Sequence, residues 1–313
     1  MPKLEPVGFV GLGVMGSALS GHLLRAGYEV VGYDIAPDRL AEHAGRGGTQ
    51  AASPAEVAAR AQIMVISLPS AAALAEVIHG DDGLAVWGPA GLIVLETSTL
   101  PIEVKEDARQ VFGARGISLL DCPLSGTGEQ ARRGDVIAYL SGDEPAKERV
   151  APVVAAMTRA CHDVGAFGSG SKMKFIANLL VTVHTLAAAE ALLLARRAGL
   201  DLATVLEAVR DGAGTSRMFE IRGPLMAEEN YPSSSMPVAL FGKDIQIITD
   251  FAGQLGSPTP LFSLASVFHR AALAQGRGNE DLACFYAVLR QLASPDGRAD
   301  TAAHGDSGAG HGH

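Results

Sequence analysis

Hydrophobic and polar positions change their period midway along this chain. In the first half, short apolar runs alternate with helical stretches. Val7–Val10 is the first run, and Ser17–Ala26 follows as a helix ending at Gly27, a residue that suits the left-handed position after a helix. Further runs fall at Glu29–Tyr33, Gln62–Leu68, Leu92–Leu95 and Ile117–Leu120, and the short Asp135–Leu140 segment reads as an added strand. Ser53-Pro-Ala-Glu56 reads as a capping box with proline at the first helical position, and Thr99 as the cap of a helix beginning at Pro101. Strands alternating with helices predict a doubly wound α/β sheet. After Ser171 the strand signals stop. Lys172–Ala198 would span about 40 Å as one helix at 1.5 Å per residue. Shorter helices are expected at Asp201–Arg210, Pro237–Leu255, Leu261–Gln275 and Asp281–Leu292. The residues from Ser294 on, rich in Pro, Gly, Asp and His, read as a disordered tail over 294–313.

The turn after the first strand reads Gly11-Leu12-Gly13-Val14-Met15-Gly16. The first glycine permits a tight turn, the second lets backbone approach a pyrophosphate, and the third lets helix pack on strand. The anion then rests on free N–H groups at the helix start. Alone, the motif is also compatible with an ordinary tight strand–helix turn. The second run, however, ends in Asp34, eighteen residues after Gly16. A carboxylate there accepts hydrogen bonds from a ribose 2′-hydroxyl and repels a 2′-phosphate, and Arg39 is five residues away. These features predict a Rossmann-type domain over 1–168 that binds NAD in preference to NADP. An all-α C-terminal domain over 169–293 then follows, joined to it through the long helix.

Composition narrows the class. With 313 residues and 48% hydrophobic content, the chain can bury one large core or two moderate ones. Acidic residues exceed basic ones by 34 − 25 = 9, and no basic stripe carries interleaved aromatics, so nucleic acid is not an expected partner. Cys122, Cys161 and Cys284 form no C-x-x-C pair, which argues against a zinc site or a disulfide framework and for free thiols in a reducing cytoplasm. No signal-peptide pattern precedes Val7. The most apolar stretch, Phe175–Leu194, is interrupted by Asn178, His184 and Glu190. It reads as a helix buried between domains or subunits rather than as a membrane span, and a homodimer or homotetramer is expected.

Within that helix, Lys174 and Asn178 are spaced i, i+4 and share one face. A lysine there can exchange a proton with a reacting oxygen while the asparagine orients it, although the pair alone is equally consistent with a solvated patch. His184 lies off that face and reads as a packed core histidine.

Four segments in this order resemble the β-hydroxyacid dehydrogenases. They are the glycine turn with Asp34; Asp121-Cys-Pro-Leu-Ser125-Gly126-Thr127 running on to Gly134; the segment from Gly168 to Lys174 and Asn178; and Lys243-Asp244. The resemblance covers about Val7 to Leu292. It implies interconversion of a small 2- or 3-hydroxy acid and its oxo or semialdehyde form, with Lys174 and Asn178 as catalytic residues. It also implies carboxylate binding at Ser125, Gly126 and Thr127. Cofactor contacts are implied at the Gly11–Gly16 turn, Asp34, Leu68, Pro69, Thr99 and Lys243. Leu124 and Thr127 depart from the family's usual valine and glycine, so the substrate is less transferable than the chemistry. Outside the resemblance, Ser125 can be read as a turn or cap residue, and Lys243-Asp244 as a surface charge pair. The Gly212–Phe219 loop is expected at the distal end of the substrate. There Arg217 can pair with a second polar group, cap a helix end or bridge subunits. An imine or sugar-acid reductase, and a non-catalytic NAD(H)-binding regulator, are the alternative readings.

Overall fold

The structure, a computed structural model, describes residues 4–232 and 237–293; the expected tail lies outside the described residues. Its first half is one parallel sheet wrapped by helices. The chain runs β1 (Val7–Val10), α1 (Val14–Arg25), β2 (Val30–Tyr33), α2 (Pro37–Gly45), β3 (Thr49–Gln50), α3 (Pro54–Arg60) and β4 (Ile63–Ile66). It continues through α4 (Ala71–His79), α5 (Leu84–Trp87), β5 (Ile93–Glu96), α6 (Ile102–Gly113) and β6 (Ser118–Asp121). The six strands lie in the order β3-β2-β1-β4-β5-β6, every pair parallel. This doubly wound order places ligands outside the carboxyl ends of the strands, where the order reverses.

Burial follows the pleat. In β4, Ile63 and Val65 pack under α1, while Met64 and Ile66 pack on the opposite face with Leu74 of α4 and Phe112 of α6. Covered on both faces, β1, β4 and β5 are buried along their whole length, which is why they read as unbroken apolar runs.

A smaller sheet follows from β7 (Leu124–Ser125), α7 (Gly128–Arg132), β8 (Ile137–Leu140), α8 (Glu144–Met157) and β9 (Ala160–Asp163). Here β7 pairs antiparallel and β9 parallel to β8. The rest is helical: α9 (Ser169–Arg197), α10 (Leu202–Arg210), α11 (Arg217–Ala227), α12 (Val238–Gln254), α13 (Pro260–Ala274), a 3-10 turn at Leu282–Cys284, and α14 (Phe285–Ala293). Among the described residues, α9 alone is long and apolar enough to cross a membrane by length and composition. It serves instead as the spine of a second core, with Phe175, Leu186 and Leu192 packed among Phe219, Phe241, Phe262 and Phe285.

Several local expectations change. Helix α9 starts at Ser169, three residues early, because Gly168 supplies a left-handed N-cap (φ +86°) and Asp121 accepts the N–H of Ser171. Thr99 does not cap α6; Pro101 occupies that position, and the Thr99 carbonyl turns toward α12. Ser53 accepts from the Glu56 N–H at 3.2 Å, but the Glu56 carboxylate reaches the Ala52 N–H, so the box is half formed. The loop expected after Gly212 extends only to Ser216, whose side chain caps α11. His184 is half-buried rather than enclosed.

Candidate active site

The glycine turn is fixed by sterics at its closing residue. A Cβ on Gly16 would lie 1.9 Å from the Gly11 carbonyl oxygen, so only glycine lets α1 pack this close to β1. Helix α1 has no side-chain cap and no acidic residue in its first turn, leaving the start of the helix suited to an anion. Val14 is exposed at this turn, Met15 half-buried, and Leu12 buried. Asp34, at the end of β2, is itself buried. Its carboxylate accepts the Leu12 N–H at 2.7 Å and the Ala36 N–H at 2.9 Å, so it holds the glycine turn in shape. Arg39 also reaches it. Pro37 starts α2 directly after the strand, and the guanidinium of Arg39 comes within 3.4 Å of Asp34 and stands over Gly13. Five residues of sequence are thus no separation in space.

Leu68 and Pro69 follow β4, where the Leu68 N–H donates to Ser98 Oγ at 2.8 Å. Thr99 lies beyond β5. Lys243, on α12, crosses from the helical half and donates to the Thr99 carbonyl. Two of the expected cofactor residues, 144 positions apart, therefore meet at one edge of the cleft.

The structure also holds a cavity of about 300 Å³. Ser125, Gly126, Thr127, Lys174, Asn178 and Arg217 all line it. Gly126 adopts φ +146°, and a Cβ there would sit 2.7 Å from Val136 Cγ1. Among the described residues neither Ser125 Oγ nor the Gly126 N–H has a protein partner, which leaves both available to a carboxylate. The Thr127 N–H is different. It donates to Gln130 Oε1 at 3.0 Å while Thr127 Oγ1 accepts from the Gln130 N–H, a full capping box on α7. The expected anion cradle therefore loses one of its three donors in this conformation.

Lys174 is buried on the cavity wall. Burial pulls its ammonium down from 10.5 to about 8; Asp244 opposes the shift and Lys243 adds to it. Lys243 is thus the neighbouring cation, whereas Lys172 is exposed. Asn178 Nδ2 donates to Asp244 Oδ2 at 2.8 Å, and Asp244 Oδ1 stands 3.3 Å from Lys243 Nζ. The buried Asp244 therefore ties together the amide, the lysine over Thr99, and the field around Lys174. Its pairing with Asn178 spans 66 residues of sequence, and the Lys243-Asp244 segment alone does not disclose that partner.

Three further charged residues line the cavity without having been singled out: Asp135, Arg159 and Arg222. Arg222 is buried, bound to Asp281 at 2.7 Å and to Thr185 Oγ1 at 2.9 Å. Arg217 opens α11, pairs with Glu220 at 3.0 Å, and has Asp135 at 3.8 Å across the cavity mouth. Asp135 also accepts from Arg159 at 2.7 Å. Four cations line the cavity, and Arg159, Arg217 and Arg222 each already meet a carboxylate.

Comparison with known proteins bears on the family. Residues 6–165 match the family described as the NAD binding domain of 6-phosphogluconate dehydrogenase. Residues 168–289 match the one described as NAD-binding of NADP-dependent 3-hydroxyisobutyrate dehydrogenase. The L-threonate dehydrogenase of Cupriavidus necator is 33% identical over 94% of this chain and 99% of its own. The chain belongs to the β-hydroxyacid dehydrogenase family. The mitochondrial 3-hydroxyisobutyrate dehydrogenase of Mus musculus is 28% identical, with 93% of this chain and 89% of that one covered. A 3-hydroxyisobutyrate dehydrogenase structure from Salmonella typhimurium superposes with a TM-score of 0.81 at 33% identity, covering 91% of this chain and 100% of the other. This β-hydroxyacid dehydrogenase is accordingly an NAD(P)-dependent oxidoreductase of hydroxy acids.

Proposed function

We propose that this dehydrogenase oxidises a small 2- or 3-hydroxy acid to its oxo or semialdehyde form, with Lys174 as the general base, and reverses the step with the same lysine as the acid. One observation carries the reading: a buried lysine with a depressed pKa shares a cavity with two unengaged donors suited to a carboxylate. The nicotinamide cofactor, when bound, accepts hydride. Ser125 Oγ and the Gly126 N–H hold the substrate carboxylate. Lys174 takes the hydroxyl proton, and Asn178, fixed by Asp244, orients the reacting oxygen. Arg217 meets a second anionic or hydroxylated group at the distal end. NADH formation over a panel running from short monoacids to polyhydroxy acids and diacids tests this. Arg217→Ala should raise KM for the longer substrates much more than for the short ones, and equal losses on both would return Arg217 to a structural role.

NAD is the proposed cofactor because Asp34 stands at the ribose position and its carboxylate repels a 2′-phosphate. The position of Arg39, 3.4 Å from Asp34, gives NADP a specific second reading, since the same guanidinium can pair with that phosphate. Asp34→Asn should shift the ratio of kcat/KM values toward NADP, and Arg39→Ala should shift it toward NAD. A parent protein already faster with NADP would reverse the assignment.

A homodimer or homotetramer is also proposed. Ile176 and Leu180 on α9 and Leu261 and Leu264 on α13 are all between 45% and 65% exposed, apolar surface that a second copy of the chain would cover. Light scattering at micromolar concentration should give a multiple of the 32.3 kDa chain mass. A single-chain mass would sink the idea.

A further inference from the structure

Three charged side chains lie fully enclosed at the carboxyl edge of the parallel sheet, and none of them lines the substrate cavity. Lys105 of α6 places its ammonium 2.6 Å from Glu96, the last residue of β5, and 2.8 Å from Asp121, the last of β6. All three have zero exposure. A buried cluster of this kind is a poor way to gain stability, because desolvation offsets most of the attraction. Its geometry does something else.

Asp121 holds the start of α9. Its Oδ2 accepts the Ser171 N–H at 2.7 Å, and its Oδ1 accepts Ser171 Oγ at 2.8 Å. Ser141 Oγ donates to the Asp121 carbonyl at 3.1 Å, lies 3.3 Å from the same carboxylate, and accepts the Gly170 N–H at 3.0 Å. A carboxylate at the first turn also meets the positive end of the helix. The start of α9 has no slack: a Cβ on Gly170 would lie 2.5 Å from the Tyr139 carbonyl and 2.8 Å from that of Asp121. Lys174 is three residues beyond Ser171 and so stands directly above it. In the other direction, Glu96 Oε1 accepts the Ser98 N–H at 2.9 Å, and Ser98 Oγ accepts the Leu68 N–H. A path of hydrogen bonds and ion pairs therefore runs from the cofactor-side loop at Leu68 to the turn beneath Lys174.

We propose that Asp121, braced by Lys105, is a positioning residue for the reaction. It fixes the first turn of α9 so that Lys174 stands where the substrate oxygen arrives, and Glu96 ties that anchor to the cofactor loop. The inference rests on Lys174 being the proton-transfer group. Asp121→Asn in the full chain keeps the shape and removes the charge. Its kcat should fall on the order of 10²-fold, the cost of a misplacement of about 1 Å at the reacting centre. Substrate KM and the NADH dissociation constant, read by nucleotide fluorescence, should stay near the parent values.

A double variant supplies the readout that a general structural role would not move. Added to Lys174→Ala, Asp121→Asn should cost nothing further, because it acts through the lysine. Parent-like kcat in the single variant, or losses that multiply in the double, overturns the proposal. Should Asp121→Asn not fold, Ser171→Ala goes through the same cycle, with an expected fall on the order of tenfold from the loss of one charged hydrogen bond. Lys174→Ala with parent turnover removes the reading of the lysine and this inference with it. An inactive Lys174→Ala beside a fully active Asp121→Asn removes this inference alone.

Discussion

Lys174→Met should abolish turnover and at the same time make the protein more stable. The loss of rate follows from the role of the amine, since a positioned acid–base group contributes about 10²–10⁴-fold. The gain in stability follows from its surroundings. Burial lowers the ammonium from 10.5 to about 8, against the opposing pull of Asp244 and with help from Lys243. Each pKa unit corresponds to about 1.4 kcal/mol, so a charged Lys174 costs the fold on the order of 3 kcal/mol at neutral pH. The sign is fixed by proton counting. Between about 8 and 10.5 the unfolded chain binds more protons than the folded one, so stability rises with pH across that window. The penalty is complete below the folded-state pKa and has vanished above the unfolded one. Methionine, apolar and of similar length, removes it without stranding Asp244, which keeps Asn178 and Lys243 as partners. Thermal midpoints of parent and variant should differ most at pH 7 and converge toward pH 10.5. Equal midpoints at pH 7 would show that the lysine is not under strain. In the parent, oxidation should accelerate as pH rises through about 8, where the amine becomes the base, and reduction should slow across the same range.

The sequence was most readable where structure is local. Strands buried on both faces show as unbroken apolar runs, and the turn from β1 to α1 is dictated by a glycine that no side chain can replace. The architecture followed from those signals together with their order. Helix α11 was not visible, because Gly223 and Pro224 sit inside it and argue locally against a helix; its packing on α9 prevails over that preference. Helix α8, with Pro152 inside, escaped for the same reason. Ser125, Gly126, Lys174 and Asn178, which line one cavity, were reached through short segments and the family resemblance they carry. Asp244 as the partner of Asn178, Arg222 bound to Asp281, and Arg39 beside Asp34 depend on the fold. Hydrophobic periodicity carries no information about which polar groups meet across 66, 59 or even five residues.

The Lys105 cluster belongs to that second class and carries a large expected stability effect. Lys105→Met leaves the carboxylates of Glu96 and Asp121 enclosed with no cation, and breaking a buried pair from one side typically costs about 3–5 kcal/mol. Lys147 provides the control. Its ammonium is also covered and makes two ion pairs, at 2.7 Å with Glu144 and 2.6 Å with Asp163, but both carboxylates are more than half exposed. Water can solvate them once the lysine is gone, so Lys147→Met should cost no more than about 1 kcal/mol. The two substitutions are chemically identical, and only the solvent access of the abandoned partners differs. Burial alone would pull the Lys105 ammonium down, yet Glu96 and Asp121 together hold it above the ordinary lysine value. Its contribution is therefore fully present below about pH 10.5 and is lost only as pH rises further. The deficit of Lys105→Met should accordingly be constant from neutral to mildly alkaline pH. Urea midpoints at pH 7 and pH 9 measure both variants. Equal losses at the two lysines would mean that enclosure of the carboxylates is not what makes Lys105 matter. A deficit at Lys105 that shrinks by pH 9 would mean that its charge is not held by the two carboxylates.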